Sequence, residues 1–298
     1  VQTALVGSKS KFIKTFDFSL TKRKPIQTIS CQFDLGEKAI IEFFKTPDLK
    51  SALEKAFIKG PEHLFLHSLP RFLGDHLRDF TMLQTEGLEN VPRAGRVMLV
   101  PNHSGLLGWD ATVLQNEILR EKKRIPRTMA HAFWESQPFL KNLSRKMGLI
   151  TTDFKLAVKT LKKNKLLIIF PEAEHGNFKP SHKMYQLANF NPGFVALSLM
   201  TQTPIVPVAI LGAEENYINI GTIDWFENQI GAKIPIPLNL LPLPSKWKII
   251  FLKPISLNKY TRKDVKNEKF LIEVAANVRF RIQAAIHKEL VTRGIFKF

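Results

Sequence analysis

From Phe80 onward, short apolar runs alternate with stretches of helical spacing, and this alternation constrains the fold more than any other feature of the chain. A strand of a parallel sheet is covered on both faces, so it reads as a brief unbroken apolar run, and its connection to the next parallel strand needs a crossover, usually a helix. The runs at 81–85, 97–101, 127–130, 166–170, 205–211 and 248–252 are the predicted strands. The spacing predicts helices over 109–120, 137–147, 155–163, 192–200 and 267–291. The expected class is α/β, a largely parallel mixed sheet flanked by helices, with a small N-terminal lobe.

That lobe is expected over residues 1–79, ahead of the main domain at 80–298. Its texture differs: Phe12, Phe16, Phe18 and Phe33 sit among lysines, then a helix is predicted from Asp48 to Lys59, where Gly60-Pro61 stops it. Leu64, Leu69, Phe72 and Leu73 cover one face of a second helix, and the lobe reads as facing a membrane or a partner. The longest uncharged stretch, 184–213, holds Pro192, Gly193, Pro204 and Pro207 and reads as a buried helix followed by a buried strand, not as a membrane span. Residues 234–245, with Pro235, Pro237, Pro242 and Pro244, form a helix-free apolar connection. Such a loop dips into a bilayer, lines an acyl-chain tunnel or packs on the core.

Charge narrows the partners. The 298 residues hold 44 Lys and Arg against 26 Asp and Glu, a net +18. Thirteen of the basic residues fall within 120–165, against Glu121, Glu135 and Asp153. Either this is a solvated face or it attracts phosphate, borne by nucleic acid, anionic lipid, an acidic carrier protein or a phosphorylated substrate. A nucleic-acid module calls for a basic groove with exposed aromatics, which the spacing does not show, so no nucleic-acid partner is expected. The single cysteine, Cys31, closes no intramolecular disulfide and favours a reducing compartment. The first residues have no signal-peptide apolar core and leave targeting open. His63 and His67 have helical ligand spacing but lack the intervening Glu of a zinc protease motif, and no metal is expected. Neither a Walker loop nor a Gly-x-Gly-x-x-Gly turn occurs.

The chemistry is expected at strand ends. In an open α/β sheet, ligands bind in the crevice beyond the carboxyl ends of the strands. The run 97–101 leads straight into Asn102-His103-Ser104-Gly105-Leu106-Leu107-Gly108-Trp109-Asp110. A histidine there suits general-base work, and an aspartate on its other ring nitrogen fixes the tautomer and stabilises the imidazolium. A second run ends in Phe170-Pro171-Glu172-Ala173-Glu174-His175-Gly176, and a third, from Pro204, leads to Gly212-Ala213-Glu214-Glu215. Phe178-Lys179-Pro180 and His182-Lys183-Met184-Tyr185 make a basic, aromatic loop: a cover for a substrate, or an ordinary surface loop.

In this order the blocks resemble the glycerolipid acyltransferase superfamily, which includes the 1-acylglycerol-3-phosphate and lysophospholipid acyltransferases, over roughly residues 80–217. The resemblance implies that His103 and Asp110 are the catalytic pair and that Phe170-Pro171-Glu172 belongs to the acceptor-binding block. It implies substrate-binding positions at Asn102, Ser104, Gly105, Lys155, Glu172, Ala173 and Lys179. The implied reaction moves a fatty acyl chain from a coenzyme A or acyl-carrier-protein thioester, a co-substrate and not a cofactor, to a hydroxyl of a lysophospholipid, glycerol phosphate or related lipid. The protein would then be cytoplasmic and peripherally bound to an anionic membrane, in phospholipid biosynthesis.

Three departures stand out. Six residues separate His103 from Asp110 where the family usually has four, so Gly105 and Gly108 must fold the loop back. The block at 148–155 carries Lys155 but no arginine, and Ala173 stands where the family has glycine. These departures motivate the alternative, a non-catalytic lipid-binding protein on the same fold, which widely separated His103 and Asp110 side chains would favour.

Overall fold

The computed structural model describes residues 69–104, 108–130, 148–223, 234–239 and 241–293. The predicted helices at 48–59 and 137–147, His63 and His67, and Gly105 lie outside them.

Seven strands form one sheet: β1 (Gln84–Glu86), β2 (Val97–Pro101), β3 (Arg127–Ala130), β4 (Leu149–Thr151), β5 (Leu166–Ile168), β6 (Ile205–Leu211) and β9 (Lys248–Phe251). Their spatial order is β1-β9-β6-β2-β5-β3-β4. Strands β6, β2, β5, β3 and β4 run parallel, β9 pairs antiparallel with β6, and β1 runs parallel to β9. The expected mixed, largely parallel sheet is therefore the observed one.

Side chains of the central strands alternate between two cores, as a strand's period of two requires. Met98, Val100, Leu167, Ala209 and Leu211 enter one core, which the helices α3 (Phe154–Lys162), α5 (Gly193–Thr201) and α6 (Glu268–Arg293) cover. Val97, Leu99, Leu166, Ile168, Val208 and Ile210 enter the other, against α2 (Trp109–Lys122) and Leu77 of α1 (Leu69–Phe80). All five residues of β2 and all seven of β6 are buried. The last eleven residues of the expected N-terminal lobe fall in α1, which packs on the main sheet through Leu77 and pairs Arg78 with Glu117 of α2 at 2.5 Å.

Three strands were not anticipated. Strand β4 is a three-residue edge strand whose sequence continues into Thr152-Asp153, too short and polar to register as an apolar run. Strands β7 (Asn219–Ile223) and β8 (Ile234–Pro237) form a separate antiparallel ribbon. Residues 234–239 and 241–245 hold no helix, as expected, but two of their prolines lie in a strand. A two-stranded ribbon tolerates this because alternate residues aim their backbone nitrogens at its free edge. Ile220, Leu238 and Leu241 are exposed at 57%, 65% and 70%. Strand β1 begins at Gln84, not at Thr81, because the Thr81 hydroxyl closes the end of α1 on the Leu77 carbonyl at 2.6 Å. Among the described residues no helix is long and apolar enough to cross a membrane.

Connectivity opens a crevice between two neighbouring strands. After β2 the chain passes into α2 on one face of the sheet, whereas after β5 it reaches α5 on the other. Adjacent strand ends whose continuations part in this way leave a gap between them, the topological switch point at which open α/β sheets bind ligands. His103 follows β2 and Glu172 follows β5.

Candidate active site

The His103 ring sits at the mouth of this crevice, stacked at 4.3 Å on Phe170, with its side chain 16% exposed. Its Nδ1 lies 2.7 Å from Asp110 Oδ2. Gly108, at φ +72°, turns the chain into α2 so that Asp110 falls in the first helical turn, where exposed N–H dipoles favour a carboxylate. Asp110 is fully buried and accepts further N–H bonds from Ser104 at 2.8 Å and Ala111 at 2.8 Å. A carboxylate fixed by two backbone donors has one direction left for the imidazole. With Nδ1 facing Asp110, the ring's Nε2 is the nitrogen left for proton transfer.

Glu172 holds the other side. Its Oε1 accepts the His103 backbone N–H at 3.0 Å and its Oε2 that of Ala188 at 2.7 Å, tying the end of β2 to the 184–190 loop through one buried side chain. Burial raises the Glu172 carboxyl above the ordinary glutamate value, and the Lys179 ammonium opposes that shift. Lys179 pairs with Glu214 Oε1 at 3.0 Å, both side chains almost wholly buried. Burial likewise raises Glu214, again against Lys179, while its Oε2 accepts the Tyr185 N–H at 2.6 Å.

Gly176 closes the floor. A Cβ there would meet Glu172 Cβ at 2.8 Å and the His103 carbonyl oxygen at 2.9 Å, so only glycine lets α4 (Glu174–Asn177) lie this close to both strand ends. Its spacing of four from Glu172 is the only sequence signal for this contact. Glu214 was legible only as part of a block, since a buried partner for Lys179 leaves no mark in linear spacing.

The remaining predicted positions divide. Asn102 is buried, donating to the Ile210 carbonyl at 3.0 Å and accepting the Ile210 N–H at 2.7 Å. Its amide is therefore committed to clipping β2 onto β6, and a direct substrate contact is corrected to a positioning part. Ser104 contributes its N–H to Asp110, and its hydroxyl is buried without a hydrogen-bond partner among the described residues. Ala173 is exposed at φ +50°, the left-handed region that explains why glycine suits this place. Lys155 is exposed on the first turn of α3, which follows the edge strand β4 and leads to β5.

Residues 82–211 match the family model described as Acyltransferase. An uncharacterized protein of Mycobacterium tuberculosis is 30% identical over 273 residues, spanning 87% of this chain and 71% of its own length. One from Mycobacterium leprae is 29% identical over 270 residues, with 87% and 70% covered. The fold is that of the 1-acyl-sn-glycerophosphate (LPA) acyltransferase PlsC from Thermotoga maritima, at a TM-score of 0.53 and 17% identity over 85% of this chain and 88% of that one. The chain carries a domain of that acyltransferase family at residues 82–211, on the PlsC fold. That domain makes it an enzyme of acyl transfer, with an acyl donor and an acceptor. The acyltransferase match contains His103, Asp110 and Glu172 and ends at the last residue of β6.

Proposed function

We propose that the protein esterifies a lipid hydroxyl, a lysophospholipid, glycerol phosphate or related lipid, with a fatty acyl chain from a coenzyme A or acyl-carrier-protein thioester. His103 is the general base. The observation that carries this reading is the 2.7 Å contact between His103 Nδ1 and a buried, doubly N–H-bonded Asp110.

The acceptor hydroxyl, within about 3 Å of His103 Nε2, gives up its proton as its oxygen attacks the thioester carbonyl. The carbon–oxygen bond forms, and charge collects on the carbonyl oxygen. Collapse breaks the carbon–sulfur bond, and the imidazolium returns its proton to the departing thiolate. Ester and thiol are the products, with no acyl-enzyme. Asp110 stabilises the imidazolium between the two transfers. An orienting contact of this kind is what a non-catalytic lipid binder on the same fold would have no need to keep.

The protein works at the cytoplasmic face of an anionic membrane, held peripherally. Its net charge of +18 supports this, as does the β7–β8 ribbon, whose described residues, 217–223, 234–239 and 241–244, carry no formal charge. The test is thiol release from acyl-CoA and acyl-carrier-protein donors with mixed lipid acceptors. Acceptor-dependent release that disappears in folded His103→Ala supports the reading. Release that persists undiminished in that variant overturns the role of His103, and lipid retained without any release by the wild type favours the binder.

A further inference from the structure

The 184–190 loop that Glu172 ties to His103 is a strap held by side chains from other elements. Tyr185 stands at φ +62°, the left-handed region that is costly for a residue with a Cβ. Backbone in that region persists where its surroundings over-determine it. The Tyr185 N–H goes to Glu214 Oε2 at 2.6 Å, on the wall of a small pocket shared with Lys179. The Tyr185 carbonyl accepts from Gln283 Nε2 at 2.7 Å, and the phenol bonds to Glu215 and Gly212. Two residues on, the Leu187 N–H donates to Gln283 Oε1 at 2.9 Å, and the Leu187 carbonyl accepts from Arg279 Nη1 at 3.1 Å. The next N–H, that of Ala188, is the one Glu172 Oε2 accepts at 2.7 Å.

Gln283 and Arg279 stand four residues apart on α6 and so share one face of it. This helix lies beyond the acyltransferase match, which ends at Leu211. The Gln283 amide is fully committed: its oxygen takes the Leu187 N–H, and its nitrogen serves the Tyr185 carbonyl and faces His287 Nε2 at 3.0 Å. One side chain thus bridges residues 185 and 187, and residue 188 holds Glu172, whose other oxygen takes the His103 N–H at 3.0 Å. A displaced strap leaves that buried carboxylate either to follow it or to lose a bond that water does not replace. Arg293 reaches the Tyr185 hydroxyl, which Glu215 and Gly212 also hold, and not the backbone of the strap.

We propose that Gln283, with Arg279 beside it, is a positioning residue for acyl transfer, fixing the strap through which Glu172 holds His103 against Asp110. The proposal rests on the acyl-transfer reading and adds to it a part from outside the matched domain.

The test compares the full-length wild type with Gln283→Met, which keeps the length of the side chain and removes its hydrogen bonds, by thiol release over ranges of donor and acceptor. In the folded variant kcat is expected to fall about tenfold, with KM for both substrates changed by less than about twofold, because the base moves and the substrate seats do not. Made in folded Glu172→Ala, the same change is expected to lower kcat by less than about twofold further, since the residue through which Gln283 acts is gone. Should Gln283→Met fail to fold, Arg279→Met carries the same expectations. An unchanged kcat, a loss that lies wholly in KM, or full additivity with Glu172→Ala overturns the proposal and leaves acyl transfer standing. Absence of transfer by the wild type to every acceptor overturns the acyl-transfer reading, and the proposal with it.

Discussion

Glu214 and Glu215 are neighbours in one short turn after β6, both with buried side chains and both bonded to Tyr185, yet they meet different cations. Glu214 meets Lys179 at the pocket beside the candidate active site. Glu215 meets Arg293 at the end of α6, and its Oε1 also accepts the Tyr185 hydroxyl at 2.5 Å. On that side the phenol takes in turn the Gly212 N–H at 2.9 Å, and burial and then Glu215 raise the Tyr185 pKa. The pocket side joins one carboxylate to one ammonium, whereas on the helix side the Arg293 guanidinium reaches Glu215, the Tyr185 hydroxyl and the Lys246 carbonyl, joining helix, loop and turn. Two chemically identical side chains thus separate chemistry from stability, and the cation opposite each decides which. Lysine offers a point charge with spare donors, and arginine a rigid fork.

Substitutions on the two sides should therefore move different observables. His103→Ala should lower turnover by about 10²–10⁴-fold with little change in melting temperature, measured by thiol release alongside thermal unfolding. Arg293→Met should do the reverse, costing about 3–5 kcal/mol in denaturant titration by stranding Glu215, with turnover per folded molecule retained. Loss of turnover in folded Arg293→Met would erase the distinction. Gly176→Ala bridges the sides: the added methyl should cost about 1–3 kcal/mol, and by displacing the His103 and Glu172 backbones it should lower kcat more than it raises KM.

Glu172→Gln should cost about 1–3 kcal/mol, because an amide accepts only one of the two N–H bonds now made by His103 and Ala188. It also carries a pH signature. Burial raises this carboxyl, so the folded protein keeps a proton that the unfolded chain has already lost. The contribution of Glu172 to stability thus falls as pH rises through the window between its ordinary value and the raised one, and Glu172→Gln should lack that slope. Melting temperature followed across mildly acidic pH reads it out. The smallest effect is expected from Ala173→Gly, a gain of under about 1 kcal/mol as relief of the left-handed backbone outweighs the greater chain entropy of glycine.

Much of the fold was legible because the central strands are buried on both faces. Strands β2, β3 and β6 begin and end where their apolar runs do. Legibility declined where burial is one-sided or chain geometry intervenes: β4 lies at the sheet edge, and β8 hides behind Pro235 and Pro237. The site followed the same rule. His103 and Glu172 stand just past the ends of apolar runs, Asp110 was singled out by the resemblance, and the structure brings the three together. Lys155 was named through the resemblance alone; it stands on the first turn of α3, after the edge strand β4. Asn102 sits beside the histidine in sequence and yet turns its amide toward β6.

The prolines of β8 have a consequence of their own. Pro235 and Pro237 stand opposite Thr222 and Asn219, and neither has an N–H to offer at the free edge of the ribbon. An apolar two-stranded ribbon with an unguarded edge would be a template for pairing with copies of itself. Here the rungs that a foreign strand would need are missing at alternate positions, so the ribbon presents leucine and isoleucine to its surroundings without inviting the stacking that leads to fibres.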